Sequence, residues 1–149
     1  MGDRRVLVIE PDRTERSIVE HWIQNDEFDS TGITVEVTGN YGVALAKLLS
    51  QHYDYVSLGI DGASPQSQMA ALMVLKELKR ANQNQGKIVL YHMVPFDDAE
   101  AVGTVALALG ANGYVQKAQG YMKPEGLIEL VEQCLREPQS RERPWWKLW

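Results

Sequence analysis

Short apolar runs alternate with segments of helical periodicity along the chain. The run RVLVIE (5–10), which ends at Pro11, is typical of a strand buried on both faces. Asp12 and Glu15 then have the spacing of a helix capping box. The apolar residues that follow at helical spacing are Ile18, Val19, Trp22 and Ile23. This part of the sequence therefore predicts a strand followed by a helix.

The same strand and helix unit recurs along the rest of the chain. Further strands are predicted at 33–37, 54–60, 87–94 and 113–117. Further helices are predicted through Ala44, Leu45, Leu48 and Leu49, and at 69–80, 97–109 and 124–137. We expect the buried side chains around the helix at 69–80 to be Leu72, Leu75, Leu78, Met69, Met73 and, beyond it, Met93. The alternation predicts an α/β fold, a doubly wound five-stranded parallel sheet with helices on both faces.

The residues that could form a site fall where the predicted strands end. They are Glu10 and Asp12 after the first strand, Gly59 and Asp61 around the end of the third, His92 after the fourth and Lys117 after the fifth. In an open parallel sheet, sites form in the crevice beyond the carboxyl ends of the strands. Two or three carboxylates facing one lysine would make a candidate acidic pocket there.

Three segments match the pattern of a known domain family. They are the acidic residues after strand one, ALAKLLSQHYDYVSLG leading through strand three, and ALALGANGYVQK leading through strand five. Together they resemble the receiver domain of bacterial two-component response regulators, over roughly residues 4–137. In GANGYVQK, Gly110, Ala111, Tyr114 and Lys117 fall at the family's Gly-Ala, switch-aromatic and lysine positions. The resemblance implies a flavodoxin-like receiver domain at 1–137, a role in phosphorelay signal transduction, and a separate tail at 138–149.

Several positions depart from the family pattern. In receivers, acidic residues after strand one hold Mg²⁺, an Asp ending strand three accepts the phosphoryl group, a Ser or Thr ends strand four, and the lysine pairs with the phosphoryl group. Here Pro11 has no carboxylate to offer a metal, and Asp12 begins a helix. His92 takes the hydroxyl position, and Ala118 replaces the proline that commonly follows the lysine. The resemblance thus implies switch positions at His92 and Tyr114 but an altered pocket.

The acceptor position can be aligned in two ways. Counting forward from the second helix places Gly59 there without a gap, whereas counting back from Pro65 places Asp61 there. Both residues can point to one face, because side chains in a strand alternate with a period of two. We favour Gly59, because loop length varies more easily than strand length. Asp61 remains the candidate phosphoryl acceptor of the alternative alignment.

Composition limits the remaining classes of function. The 149 residues suit one domain, and a net charge of −5 argues against nucleic acid as a direct partner. The single Cys134 cannot form an internal disulfide, and no apolar stretch approaches the ~20 residues of a membrane span. We expect a cytoplasmic protein. The three histidines are scattered with no cysteine nearby, so we predict no metal site and no cofactor, with Mg²⁺ required only if the chain is a working receiver.

The segment 138–149 concentrates aromatic side chains next to cations. Trp145, Trp146, Leu148 and Trp149 follow a basic stretch. Such groups are typical of binding hot spots, so we expect this segment to dock on a protein partner. Folding back over the domain itself and weak contact with an anionic membrane surface are the alternatives. A face formed by the last two helices and strand five, or a homodimer contact, would be the other partner surfaces.

Two functional hypotheses follow. The preferred one is an atypical receiver, a non-enzymatic adaptor that signals by protein–protein contact without Mg²⁺-dependent aspartyl phosphorylation. The alternative is a phosphorelay receiver that takes a phosphoryl group from a histidine-kinase donor onto Asp61, with Glu10, Asp12 and Lys117 assisting. We expect no enzyme of another kind, because the sequence shows no nucleophilic residue paired with a general base.

Overall fold

The computed structural model describes residues 4–29, 32–60, 65–81, 87–92, 99–116 and the helical residue Glu129. The strands are β1 (Arg4–Ile9), β2 (Ile33–Thr38), β3 (Tyr55–Ile60), β4 (Lys87–His92) and β5 (Gly113–Gln116). The helices between them are α1 (Arg13–Gln24), α2 (Tyr41–Ser50), α3 (Pro65–Ala81) and α4 (Ala99–Ala108). Apart from Glu129, the predicted helix at 124–137 and the tail at 138–149 lie outside the described residues.

The five strands form one parallel sheet in the order β2-β1-β3-β4-β5. The chain passes from β1 to β2 at one edge of the sheet. It then crosses to the other side of β1, where β3, β4 and β5 follow in order. A crevice therefore opens at the carboxyl ends of β1 and β3, where the order reverses. The predicted doubly wound sheet is confirmed.

Helices cover both faces of the sheet at β1. Val6 and Val8 pack with α1 residues Val19 and Trp22 on one face. On the other face Leu7 and Ile9 join a cluster to which α2, α3 and α4 contribute, including Ala44, Leu48, Ala71, Leu75 and Ala106. These four side chains, Val6–Ile9, are at most 1% exposed, as expected for a strand segment between two layers of helices.

The prediction that Met69 and Met73 belong to the core is wrong. These side chains are 59% and 63% exposed. The buried face of α3 is formed by Ala71, Leu75 and Leu78. Each methionine lies two residues from a buried position, which turns it to the opposite side of a helix with 3.6 residues per turn. Met93 lies outside the described residues.

A charged cluster ties α2 to the adjacent strands. Arg5 and Lys47 both donate to the Glu36 carboxylate, at 2.8 and 3.2 Å. Burial acts to raise the pKa of Glu36, but hydrogen bonds from Tyr53, Lys47 and Arg5 outweigh it and lower this pKa below its ordinary value of 4.5. Burial, with Glu36 adding to it, raises the pKa of Tyr53 to about 12.

Candidate functional site

Glu10 is the buried acid at the carboxyl end of β1. Its side chain is fully buried, although it is the first residue after the strand. Its backbone N–H donates to the carbonyl of Thr38 at 2.8 Å, which extends the pairing of β1 with β2 by one step. Its Oε2 accepts from the backbone N–H of Asp12 at 3.1 Å. The carboxylate is therefore held in place by the chain that leads into α1.

Asp12 acts as the N-cap of α1. Its backbone is extended, and its Oδ1 accepts from the backbone N–H of Glu15 at 2.9 Å. In a complete capping box the Glu15 side chain would bond the Asp12 N–H, but here Glu10 takes that hydrogen bond. Asp12 thus directs its carboxylate to the helix end, where it satisfies a backbone donor and favours the helix dipole.

Gly59 lies directly beside the Glu10 carboxylate. A Cβ added at Gly59 would be 2.8 Å from the carbonyl oxygen of Ile9 and 3.3 Å from each carboxylate oxygen of Glu10. The first distance is too short for a real Cβ, so glycine permits β1 and β3 to approach this closely. Glu10 consequently fills the space into which a side chain at position 59 would extend.

Two further side chains hold the loops around this point. Tyr41, the first residue of α2, donates through its hydroxyl to the carbonyl of Gly59 at 3.0 Å. Arg16 Nη1 donates to the carbonyls of Glu10 and Pro11, each at 3.3 Å. These bonds connect α2 to β3 and α1 to the end of β1.

Arg16 also reaches the loop between β2 and α2. A Cβ added at Gly39 would overlap the Arg16 guanidinium, so this glycine leaves the space that Arg16 fills. Arg16 Nε pairs with Glu20 one turn along α1, at 3.4 Å. The loops after β1 and β2 are therefore packed through one arginine side chain.

Comparisons with known proteins identify the fold. No family model and no curated protein sequence matches the chain. Solved structures do match, among them the chemotaxis protein CheY4 of Vibrio cholerae, with a TM-score of 0.65, 19% sequence identity, and coverage of 89% of this chain and 99% of that one. A CheY-like response regulator receiver domain from Methanospirillum hungatei gives a TM-score of 0.65 at 17% identity and covers 91% and 96% of the two chains.

A third match is the response regulator TrrA of Thermotoga maritima, solved in complex with Mg²⁺-BeF. Its TM-score is 0.58 at 21% identity, and the match covers 88% of this chain and 98% of that chain. This chain has the receiver fold. Because the sequence identities are 17–21%, the similarity shows a shared fold and does not assign roles to the side chains of the pocket.

The receiver fold brings some of the predicted pocket residues together. Glu10 and Gly59 are in contact range, whereas Asp12 is turned to the helix end. His92 is the last residue of β4 and pairs through its backbone register with Ile60 and Gln116. Tyr114, in β5, is in register with Leu90 of β4.

The other predicted residues lie outside the described part of the chain. These are Asp61, Lys117, Trp145, Trp146, Leu148 and Trp149. Ile60 is the last described residue before Asp61, and Gln116 is the last before Lys117. Their roles stay predictions.

Sequence reasoning missed Arg16, Gly39 and Tyr41. In the sequence, Arg16 lies on the polar face of a predicted helix, four residues before Glu20, a spacing that predicts only a surface ion pair. No neighbouring residue in the sequence indicates that Arg16 also donates hydrogen bonds to the end of β1. The pattern GNYG (39–42) lies between a predicted strand and a predicted helix, and its two glycines are the available signal that another group approaches the backbone here.

The described residues fit a receiver Mg²⁺ ion poorly. Such a hard cation takes several oxygen ligands, usually carboxylates. At this point the described residues offer the Glu10 carboxylate, while Pro11 and Gly59 offer no side-chain oxygen and Asp12 caps α1. Within the described ranges no group of three or more His, Cys, Asp or Glu side chains could hold a metal.

No helix in those ranges is long and apolar enough to cross a membrane.

Proposed function

We propose that this chain is a cytoplasmic signal-transduction adaptor that uses the receiver fold for protein–protein contact, without Mg²⁺-dependent aspartyl phosphorylation. The observation that carries the proposal is the position of Glu10. Its buried carboxylate fills the space next to Gly59, at the end of the strand on which receivers carry their acceptor.

Electrostatics support this interpretation. A transferred phosphoryl group carries negative charge on its oxygens, which positioned cations and donors must neutralise. A buried carboxylate within a few ångströms would repel that charge unless a metal lay between them. Since Pro11 and Gly59 supply no side-chain carboxylate, the neutralising ion lacks the carboxylates that would hold it.

We propose that Glu10 pairs with Lys117, which directly follows the described end of β5. The lysine would then pair with a carboxyl group of the domain itself rather than with an incoming phosphoryl group. His92 is the last residue of β4, and the resemblance aligns it with the position where receivers carry a Ser or Thr hydroxyl. The domain would thus keep one conformation instead of being switched by phosphorylation. It would signal by binding to its partner protein.

The partner contact of the adaptor is proposed to be the segment around Trp145, Trp146, Leu148 and Trp149. Aromatic side chains supply most of the binding energy of many interfaces. The basic residues beside them would restrict the choice of partner more than they would raise affinity. The face formed by the last two helices and β5 is the second candidate surface.

A working receiver is the alternative function. It is favoured by the extent of β3, which continues to Ile60, so that Asp61 immediately follows the strand. The TrrA structure holds Mg²⁺-BeF, and a structural neighbour from Burkholderia pseudomallei, 15% identical with a TM-score of 0.61, is described with a phosphorylated aspartic acid and calcium. Under this alternative, Asp61 would accept the phosphoryl group.

Thermal melting with Mg²⁺ and beryllofluoride separates the two functions. A ligand present at 100 times its dissociation constant adds roughly 2.7 kcal/mol to stability, which raises the melting temperature of a domain of this size by several degrees. We expect no rise for this chain, with TrrA as the positive control. A rise that disappears in D61N would contradict the adaptor and support the working receiver.

A further inference from the structure

The outward face of α3 forms an exposed stripe along the whole helix. Its members recur at helical spacing and are all exposed: Gln66, Met69, Ala70, Met73, Lys76, Glu77 and Arg80. We call this set the α3 stripe. The opposite side of α3 is buried against the sheet. The stripe is therefore the surface that this helix offers to other molecules.

The first half of the α3 stripe is uncharged and, apart from Gln66, apolar. Residues 65–74 contain no charged side chain, although an outward helix face normally carries charges that keep it in water. Met69 and Met73 lie one turn apart and are more than half exposed. Large hydrophobic side chains exposed elsewhere among the described residues are Val43 and Leu49 of α2 and Val105 of α4, in the same layer of helices. Methionine is a flexible, polarisable side chain suited to binding surfaces.

The second half of the α3 stripe is positively charged. Lys76 and Arg80 are exposed, and Glu77 balances one of these charges through a 3.5 Å pair with Arg80. Since both side chains of that pair are more than half exposed, the pair is weak and Arg80 can exchange partners. Lys76 and Arg80 against Glu77 leave this half of the stripe with a local excess of positive charge, which favours acidic over basic partners at this end of the helix.

We propose that the α3 stripe is a docking surface for an acidic amphipathic helix of a partner protein. Apolar side chains of that helix would pack on Met69 and Met73, and its carboxylates would face Lys76 and Arg80. This arrangement is a helix laid along an apolar face, with charges fixing its direction. The inference does not depend on whether the chain is phosphorylated.

Charge disfavours the two other occupants. The Trp-rich segment of this chain carries Arg141, Arg143 and Lys147 against one acidic residue, Glu142, so its net charge has the same sign as that of the second half of the stripe. A second copy of the stripe offers no acidic side chain besides Glu77, which is already paired with Arg80, so it supplies no carboxylates to face Lys76 and Arg80. An acidic helix matches both halves of the stripe.

Fluorescence anisotropy with three labelled peptides tests the proposal on the full chain. The first is a designed helix with leucines on one face and glutamates on its flanks. The second replaces those glutamates with lysines, and the third is residues 138–149 of this chain. We expect saturable binding of the acidic peptide, at least about tenfold tighter than the lysine peptide, and weaker as salt rises.

The variants M73Q and K76E/R80E should each weaken binding of the acidic peptide by about tenfold or more. Glutamine has nearly the helix propensity of methionine, so α3 should keep its far-ultraviolet circular dichroism. The matched control is L49Q, since Leu49 is 57% exposed on α2, and this variant should bind as the natural chain does.

Any one of four results would overturn the proposal. The acidic peptide could fail to bind, or bind with the same affinity in M73Q. The peptide 138–149 could bind more tightly and lose binding in M73Q, which would assign the stripe to the chain's own segment. A dimer seen by analytical ultracentrifugation and abolished by M73Q would assign it to a second copy.

Discussion

Placing an aspartate at position 59 should destabilise the protein by a predictable electrostatic amount. The added Cβ would lie 3.3 Å from both oxygens of the buried Glu10 carboxylate. The new carboxylate would then be about 4 Å from Glu10, where two ionised groups repel by about 4 kcal/mol at an effective dielectric constant of 20. After local relaxation we expect G59D to cost about 2–4 kcal/mol more than its neutral counterpart.

The neutral counterpart, G59N, isolates the steric contribution. Asparagine has the shape of aspartate, and its Cβ meets the same carbonyl oxygen of Ile9 at 2.8 Å. Such overpacking typically costs about 1–3 kcal/mol. The difference between the two variants is therefore the charge repulsion from Glu10.

The assay is urea unfolding at pH 7, followed by tryptophan fluorescence and extrapolated linearly to water. In an E10Q background the extra cost of aspartate over asparagine should largely disappear, because the repelling charge is gone. If G59D and G59N were equally stable in the natural background, Glu10 would not occupy the space beside position 59. The basis of the adaptor proposal would then be refuted.

Three further predictions concern the surroundings of the site and the tail. Y41F removes the hydrogen bond to the Gly59 carbonyl and should lower the free energy of unfolding by about 1 kcal/mol in urea. Because the pKa of Glu36 is lowered in the folded state, its ionised form stabilises the fold above pH 4.5, and this is lost as the pH falls through the lowered pKa. E36Q should therefore flatten the fall of the unfolding midpoint below about pH 5, and an unchanged acid dependence would contradict this. Deleting residues 144–149 should leave the urea midpoint unchanged while abolishing partner capture, whereas a large fall in the midpoint would indicate that the segment covers its own domain.

The fold could be predicted from the sequence because its signals are local. The run through Val6–Ile9 is apolar at every position, so a strand buried on both faces was the natural interpretation, and both of its faces are covered. Asp12 was recognised as a helix start from its spacing to Glu15, and it caps α1. Residues 69–74 are apolar on every side of α3, so the sequence alone did not indicate which side is buried, and Met69 and Met73 were assigned to the wrong one.

The candidate site was harder to predict because its geometry depends on distant residues. The pattern placed Glu10 at a strand end, but the direction of its carboxylate depends on the Asp12 amide and on the absence of a side chain at position 59. Arg16 acts on the same loops only because Gly39, far along the chain, leaves it space. Contacts of this kind have no periodicity that a sequence could display.

Covalent phosphorylation tests the central claim most directly. The chain is incubated with acetyl phosphate and Mg²⁺, and its intact mass is measured before and after acid or hydroxylamine treatment, with TrrA incubated in parallel as a comparison receiver. We predict an unchanged mass for this chain, because Gly59 carries no acceptor carboxylate and Glu10 fills the space beside it. An acid-labile phosphoryl group that appears on the natural chain and is absent from D61N would contradict the account.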